Sequence, residues 1–219
     1  MMKLCNETVN TLKNFSQINP SVLVEPGSEI VTMAPSKTII AKVITEEIFD
    51  KQMAIYDLSQ FLGVVSMLEE PDFDFGEKSV KIKSKNGSVN YNYADPSMII
   101  APITNSVAMK NVVASFELDR TQFTGIVRAA SVLQTDLVKI SSTDGKLSVA
   151  TADSKNDNPH SYEADIEVGD TDGDFAVFVK TENLVKVLPA EYKVTVSDSN
   201  VICFQNDTHT YWIVSENRK

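Results

Sequence analysis

The stretch that most constrains this chain is Met53–Leu68, MAIYDLSQFLGVVSML, which joins a short apolar strand to an amphipathic helix. Asp57 and Gln60 have the spacing of a capping box, in which the carboxylate accepts a backbone N–H and the glutamine reaches back. The apolar residues that follow at helical spacing form one wide stripe: Leu58, Phe61, Leu62, Val65 and Leu68. The pattern predicts a helix that packs its stripe against a sheet.

The same strand–helix unit recurs along the chain. Asp119 and Gln122 repeat the cap, and apolar residues agree with the first unit at +4, +8 and +11 from each Asp. A further case predicts a helix Thr181–Leu188, capped by Thr181 and stopped by Pro189. Another helix begins at Asn6. Helix starts near residues 6, 57, 119 and 181 predict one motif used four times at uneven periods.

Composition bounds the class of protein. A chain of 219 residues with 42% hydrophobic and 23% charged residues can form one large or two small globular domains. No apolar run is long enough to span a membrane, and the first residues lack a signal-peptide core. Cys5 and Cys203 stand far apart, which indicates reduced thiols in a cytosol-like compartment. The net charge of −10, taken alone, argues against nucleic-acid binding.

Hairpin turns predict mainly antiparallel sheets, hence an α+β fold. Asn86-Gly87 and Asp144-Gly145 each stand between strand-like runs, and a strand is predicted over Ser161–Val168. From Ala94 to Lys110 the periodicity fails and two prolines occur, so we expect an extended connector there. The predicted organisation is therefore a domain over residues 1–93, a connector over 94–110 and a domain over 111–219.

Catalytic motifs are missing from the sequence. There is no phosphate-binding glycine loop, zinc-protease motif or nucleophile elbow. The acidic run Gly169–Asp174, GDTDGD, resembles half of a calcium loop but lacks its terminal glutamate, so a solvated turn is favoured over a metal site. We therefore expect no enzyme activity, no cofactor and no metal, and a binding or scaffold protein instead.

Two predicted helices carry polar faces opposite their apolar stripes. On the first helix the face comprises Lys3, Asn6, Asn10, Lys13 and Asn14, with Glu7 at its border. On the third helix it comprises Arg120, Thr121, Thr124, Arg128 and Ser131, with no acidic residue. Hydroxyls, amides and scattered cations suit phosphate contact without base readout. An ordinary solvated helix face remains the alternative.

Several segments in order resemble the sliding clamps (DNA polymerase processivity factors) of T-even-like bacteriophages. They are KLCNETVNTLKNFSQIN, AIYDLSQFLGVVSML, YADPSMIIAP, IVRAASVLQTD and GDTDGDFAVFV, which run from Lys3 to Val179. The resemblance implies a DNA-clamp fold of two similar domains. Three subunits would close head to tail into a homotrimeric ring, with sheets outside and helices lining a hole for duplex DNA.

The resemblance also implies partners. A clamp of this family encircles duplex DNA without sequence preference, tethers the phage DNA polymerase and is loaded by an ATP-dependent clamp loader. A late-transcription sigma factor or coactivator is a further family partner that the sequence itself does not display. The implied location is the cytoplasm of the infected bacterial host.

Two sets of site residues follow. Lys3, Lys13 and Arg128 stand where the family has cations facing DNA, Arg120 is added from the face argument, and the fourth helix adds Lys180 and Lys186. Asn6 and Ser131 stand where the family has further cations. The family's pocket for partner peptides lies near the connector, where the candidates are Met98, Ile99, Ile100, Pro102, Ile103 and Val107. These apolar residues could equally fill a seam between the domains.

Two rival functions remain at this point. One is a non-enzymatic virion or adaptor protein with repeated α+β domains, against which the acid-free helix face counts. The other is an enzyme with an unfamiliar site, which the acids of Gly169–Asp174 would have to serve.

Overall fold

The computed structural model of the chain describes residues 1–154, 160–166 and 169–216. The chain forms two compact units, Met1–Asn105 and Ser106–Lys219, and the division falls inside the segment 94–110. In both units the strands pair antiparallel, so the predicted α+β class is confirmed. Among the described residues, none of the helices combines the length and hydropathy needed to span a membrane.

The first unit contains two α-helices and seven strands. The helices are α1 (Asn6–Ile18) and α2 (Leu58–Met67). The strands are β1 (Val22–Val24), β2 (Gly27–Met33), β3 (Ile39–Phe49), β4 (Met53–Ile55), β5 (Asp72–Phe75), β6 (Ser79–Ser84) and β7 (Gly87–Asn92). A single 3-10 turn over Pro96–Met98 follows them.

Two sheets and a helix pair build this unit. One sheet has the order β4-β1-β2-β3 and the other has the order β5-β6-β7. Helix α1 packs on α2 and on the first sheet. Phe15, Leu58 and Phe61 from the two helices are almost fully buried, which places the core between the helices and the strands.

In its described residues, the second unit repeats this plan with two helices and nine strands. The helices are α3 (Arg120–Leu133) and α4 (Thr181–Leu184). The strands are β8 (Val112–Leu118), β9 (Leu137–Thr143), β10 (Lys146–Ala152), β11 (Glu163–Ile166), β12 (Gly169–Thr171), β13 (Phe175–Lys180), β14 (Tyr192–Ser197), β15 (Val201–Gln205) and β16 (His209–Val214).

An aromatic cluster fills the core of the second unit. Its strands lie in the orders β12-β8-β14-β15-β16 and β11-β10-β9-β13. The Phe123 ring of α3 lies 5.7 Å from the Tyr192 ring and 6.2 Å from the Phe204 ring, both edge to face. The Tyr192 hydroxyl donates to Leu188 O at 2.6 Å, which satisfies a phenol that is otherwise buried.

The predicted helix starts near residues 6, 57, 119 and 181 are all confirmed, and one predicted helix is wrong in length and in its cap. Helices α1, α2 and α3 begin as expected, with Asp57 and Asp119 as N-caps. Only Asp119 completes the reciprocal capping box, since Asp57 accepts from Gln60 N without a bond in return. Helix α4 ends at Leu184 instead of Leu188, and its N-cap is Lys180 without a side-chain bond.

The turns also differ from expectation. Asp144-Gly145 is a two-residue turn with positive φ at both residues, as predicted. The β6–β7 hairpin turns on Lys85-Asn86 instead of Asn86-Gly87, because Ser84 pairs with Gly87 and brings the glycine into the strand. No positive φ is needed there, and none occurs at these residues.

Part of the acidic run is a strand instead of a solvated turn. Gly169–Thr171 is β12, which pairs with β8. A Cβ at Gly169 would lie 2.5 Å from the Cβ of Phe116, so only glycine permits this close approach. The strand predicted over Ser161–Val168 is Glu163–Ile166, and positions 167 and 168 lie outside the described residues.

Strands β7 and β11 are sheet edges without a partner strand in the described ranges, as are β4 and β12 at the ends of the other strand orders. Strand β7 ends the order β5-β6-β7, and β11 ends the order β11-β10-β9-β13. The opposite edges of these two sheets are partly covered, by a bridge from Met2 to Phe73 of β5 and by one from Glu216 to Phe178 of β13. Open edges of this kind are ready to pair with another chain.

Candidate nucleic-acid interface and partner surface

Helix α3 presents a polar face without acids. Phe123, Ile126 and Ala130 are buried against the sheets, so the opposite face of the helix points to solvent. Its exposed polar residues are Arg120, Thr121, Thr124, Arg128 and Ser131, as the periodicity predicted, and Val132 is exposed beside them. With its N-terminal N–H groups capped by Asp119, the helix offers two guanidinium groups among hydroxyls. This arrangement can bind phosphate oxygens without reading bases.

Helix α1 presents a comparable face with one correction. Asn6, Asn10 and Lys13 are exposed as predicted, whereas Asn14 is buried and does not belong to the face. Asn14 follows Thr8 and Thr11 at three-residue spacing, and all three polar side chains point toward the sheet side of the helix. Polarity alone therefore misassigned Asn14.

The six predicted cations differ in what surrounds them. In residues 1–154, 160–166 and 169–216 no acid lies within ion-pair distance of Lys13, Arg120 or Arg128. Lys3 lies 3.7 Å from Glu70 in an exposed pair of little strength. This leaves Lys13, Arg120 and Arg128 as cations whose charge a phosphate would meet directly.

The fourth helix contributes less charge than its lysines suggest. Lys180 Nζ lies 3.1 Å from a Glu216 oxygen, and this hydrogen-bonded carboxylate raises the pKa of Lys180. The charge on Lys180 is thus balanced locally. Lys186 lies half-buried beyond the end of α4.

The connector residues divide by burial. Ile99 is buried and belongs to the core of the first unit, while Pro102 and Val107 are half-buried. Three apolar side chains are exposed: Met98, Ile100 and Ile103, the last fully. Asn19 Nδ2 donates to Ile100 O and to Met33 O, both at 2.9 Å, which fixes this segment against the end of β2.

Two exposed isoleucines near the connector escaped the sequence prediction. Ile44 and Ile48 of β3 are 46% and 66% exposed. Ile44 stands opposite Glu29 of β2, and Glu29 accepts a hydrogen bond of 3.3 Å from Asn105 of the connector. The alternation along Ile39–Phe49 was the available signal, because it places Ile44 and Ile48 on the solvent side of the strand.

The chain is similar in sequence to known proteins. A profile of the family "DNA polymerase processivity factor" matches residues 5–101. The sliding clamp of Vibrio phage KVP40 is 27% identical over 98% of this chain and 99% of its own length. The sliding clamp of Enterobacteria phage T4 is 28% identical over 88% of this chain and 86% of its own.

The chain is thus similar to the sliding clamps of T-even-like phages over most of its length, at 27% and 28% identity. The DNA-clamp fold is confirmed by a solved structure, proliferating cellular nuclear antigen from Entamoeba histolytica. It has a TM-score of 0.73 and 12% identity, and the match covers 96% of this chain and 95% of that one. The matched family is named for DNA polymerase processivity factors, and the matched phage relatives are named sliding clamps.

Metal chemistry has no support in the described part of the chain. No group of three or more His, Cys, Asp or Glu side chains is arranged there to hold an ion. Asp174 of the acidic run instead accepts a hydrogen bond of 2.9 Å from the backbone N–H of Asp144. The acids of this run thus help to join two turns.

Proposed function

We propose that three copies of this chain close head to tail into a ring around duplex DNA. The observation that carries the proposal is the exposed, acid-free face of α3, which stands out in a chain with a net charge of −10. A closed ring is held on DNA by topology, so a few phosphate contacts suffice and sliding is permitted. The polymerase held by the ring would rebind the primer end at high effective concentration.

The open edges β7 and β11 support the head-to-tail assembly. One edge belongs to each unit, so pairing β7 of one copy with β11 of the next uses different surfaces of the two copies. Glu163 and Asp165 of β11 are exposed, and Lys81 of β6, beside β7, is exposed as well. Opposite charges near the paired edges would favour this register over self-pairing of either edge.

The DNA assignment is tested by reversing charge. Lys13→Glu combined with Arg128→Glu should lower DNA-stimulated ATP turnover of the clamp loader and shorten polymerase products. The matched control, Lys37→Glu with Lys146→Glu, makes the same change in net charge at an exposed turn residue and at the exposed first residue of β10. Unchanged processivity in the first pair, with ring mass intact, would remove the DNA assignment.

Light scattering across a concentration series tests the ring itself. A species near three times 24.2 kDa is expected. A strict monomer at high concentration would exclude encirclement and would favour the adaptor function. A ring in the cytoplasm of the infected bacterium would need the ATP-dependent loader to open it.

The same proposal assigns the connector surface to partner peptides. The exposed side chains of Met98, Ile100 and Ile103 would bind short C-terminal peptides of the phage polymerase and, in late transcription, of a sigma factor or coactivator. Ile103 is fully exposed, so Ile103→Ser should leave stability unchanged while weakening binding of the polymerase peptide. Fluorescence anisotropy measures this, with Val132→Ser on α3 as the control. Equal peptide affinity in both variants would exclude the assignment.

A further inference from the structure

Glu47 of β3 is a buried acid that the proposed function does not use. The residue is 8% exposed, and both carboxylate oxygens meet the start of α1. The backbone N–H of Cys5 donates to Oε1 at 2.5 Å, and the Thr8 hydroxyl donates to Oε2 at 2.6 Å. In the described ranges no lysine, arginine or histidine forms an ion pair with it. Hydrogen bonds and the positive end of the helix dipole therefore compensate its burial.

The Thr8 hydroxyl also contacts Cys5. Thr8 Oγ1 lies 3.3 Å from Cys5 Sγ, and either atom can be the donor in this contact. Thr8 N donates back to Cys5 Sγ at 3.3 Å. Three side chains thus close a network around the first turn of α1.

Strand β3 leaves its ladder at this point. Glu29 of β2 stands opposite Ile44, and Gly27 stands opposite Phe49, so residues 45–48 of β3 face residue 28 alone. Thr45 Oγ1 lies 2.9 Å from both Ser28 O and Glu47 O, which holds the irregular stretch. Irregularities of this kind re-aim a side chain and are frequent beside functional sites.

In the described part of the chain, the buried apolar side chains of α1 lie beyond its first turn. The buried apolar residues of the helix are Leu12, Phe15 and Ile18, all from its second turn onward. Thr8 and Lys13 are five residues apart, which places them about 140° from each other around the helix axis. Holding Thr8 against Glu47 therefore turns Lys13 to the exposed side.

We propose that Glu47 is a positioning residue for DNA contact: it fixes the first turn of α1, and through it Lys13, in the orientation that duplex DNA meets. The inference rests on the proposed function, because it takes Lys13 as DNA-facing. Glu47 itself, being buried behind the helix, does not touch DNA.

A double-mutant experiment tests this role. Glu47→Ala and Lys13→Ala should each lower DNA-stimulated loader turnover several-fold in assembled rings. The double variant should be no worse than Lys13→Ala alone, since Glu47 acts through that lysine. Glu46→Ala is the matched control, because this exposed neighbour on β3 carries the same charge. A general loss of structure would instead give additive losses.

A second pair of variants covers the case in which Glu47→Ala does not fold. Thr8→Val removes the hydroxyl donor at nearly constant shape, and Thr8→Ser keeps it. We expect the valine variant to lose DNA-stimulated turnover and the serine variant to keep it, both as rings of unchanged mass.

The outcomes separate the two proposals. If the Lys13→Ala ring has unchanged DNA-stimulated loader turnover, Lys13 does not face DNA, and the inference about Glu47 is excluded with it. The role of Glu47 alone is overturned if DNA-stimulated loader turnover falls in the Lys13→Ala ring but not in the Glu47→Ala ring. Additive losses of turnover in the double variant would overturn it too. Equal behaviour of Thr8→Val and Thr8→Ser would overturn it as well.

Discussion

Helices α1 and α3 are the first helices of their units, yet their N-termini are held in different ways. Helix α3 is capped within four residues of sequence: Asp119 accepts from Gln122 N at 2.8 Å, and Gln122 accepts from Asp119 N at 3.2 Å. Helix α1 is capped by Cys5 and by the carboxylate of Glu47 from another element. The cap of α3 is made by residues at the start of the helix itself, whereas the cap of α1 is complete only when β3 is in place.

The difference concerns the order in which contacts form. The cap of α3 is local, so it can support the helix before the second unit has closed around Phe123. The cap of α1 forms only after β3, a strand that begins about thirty residues after the first turn, has come into place. Bringing the two segments together costs loop-closure entropy. We expect hydrogen exchange to reveal a weaker first turn in α1 than in α3 whenever β3 opens.

The largest expected effect tests whether α3 depends on its core contact more than on its cap. Phe123→Ala removes a ring that touches Tyr192 and Phe204 and should cost about 3–5 kcal/mol of unfolding free energy. Trp212, the single tryptophan, is buried in the same unit and reports its unfolding in urea. Val132→Ala, at an exposed position of α3, serves as the control. A loss below 1 kcal/mol would mean that the cluster repacks.

The second largest expected effect is a loss of stability of the second unit at alkaline pH. Burial raises the pKa of the Cys203 thiol to about 12, from an ordinary value of 9.0, and burial also raises the pKa values of Tyr192 and Tyr211. The unfolded chain therefore releases these protons at a lower pH than the folded chain does. The free energy of unfolding that these groups contribute is present below pH 9 and is lost as the pH rises. Cys203 alone should contribute a loss of about 1.4 kcal/mol between pH 8 and pH 10.

Urea unfolding followed by Trp212 at both pH values measures this loss. Cys203→Ala removes the thiol, so its stability should change less over the same interval, whatever its stability at pH 8. An identical pH dependence in the two proteins would contradict the assignment to Cys203. The first unit contains Tyr91 and Tyr93, whose pKa values burial also raises, but no buried thiol.

The smallest effect isolates the cap of α3. Asp119→Ala should cost about 1 kcal/mol, because the backbone N–H of Gln122 loses its acceptor. Asp119→Ser keeps an acceptor and should restore most of that stability. Hydrogen exchange at Gln122 distinguishes the local change from a global one. If exchange there is unaltered in the alanine variant, the cap does not stabilise the first turn of α3.

Local patterns explain which elements the sequence could predict. The capping pair Asp119–Gln122 and the turn Asp144-Gly145 depend on residues a few positions apart, and both formed as expected. Asn86-Gly87 carries an equally strong turn signal, but the pairing of β6 with β7 moved the turn to Lys85-Asn86. The predicted helix Thr181–Leu188 ends early, at Leu184.

The candidate site shows the same division. The periodicity of the sequence was enough to predict that Arg120 and Arg128 are exposed, because the buried residues of α3 determine which side of the helix faces solvent. Glu47 could not be paired with Cys5 and Thr8 from the sequence, since 42 and 39 residues separate them. In the alternation of buried and exposed residues along Ile39–Phe49, Glu47 falls at a buried position. This was the available signal that the acid needs a partner.

The open edges β7 and β11 carry a consequence for assembly beyond the ring. A contact that joins two different edges leaves the growing assembly with one free edge of each kind, so growth continues until rotation closes it. Three copies that meet at a slightly altered angle would miss closure and extend as a filament. In the proposed ring, a substitution that flattens or twists either strand would therefore turn a closed assembly into an aggregate.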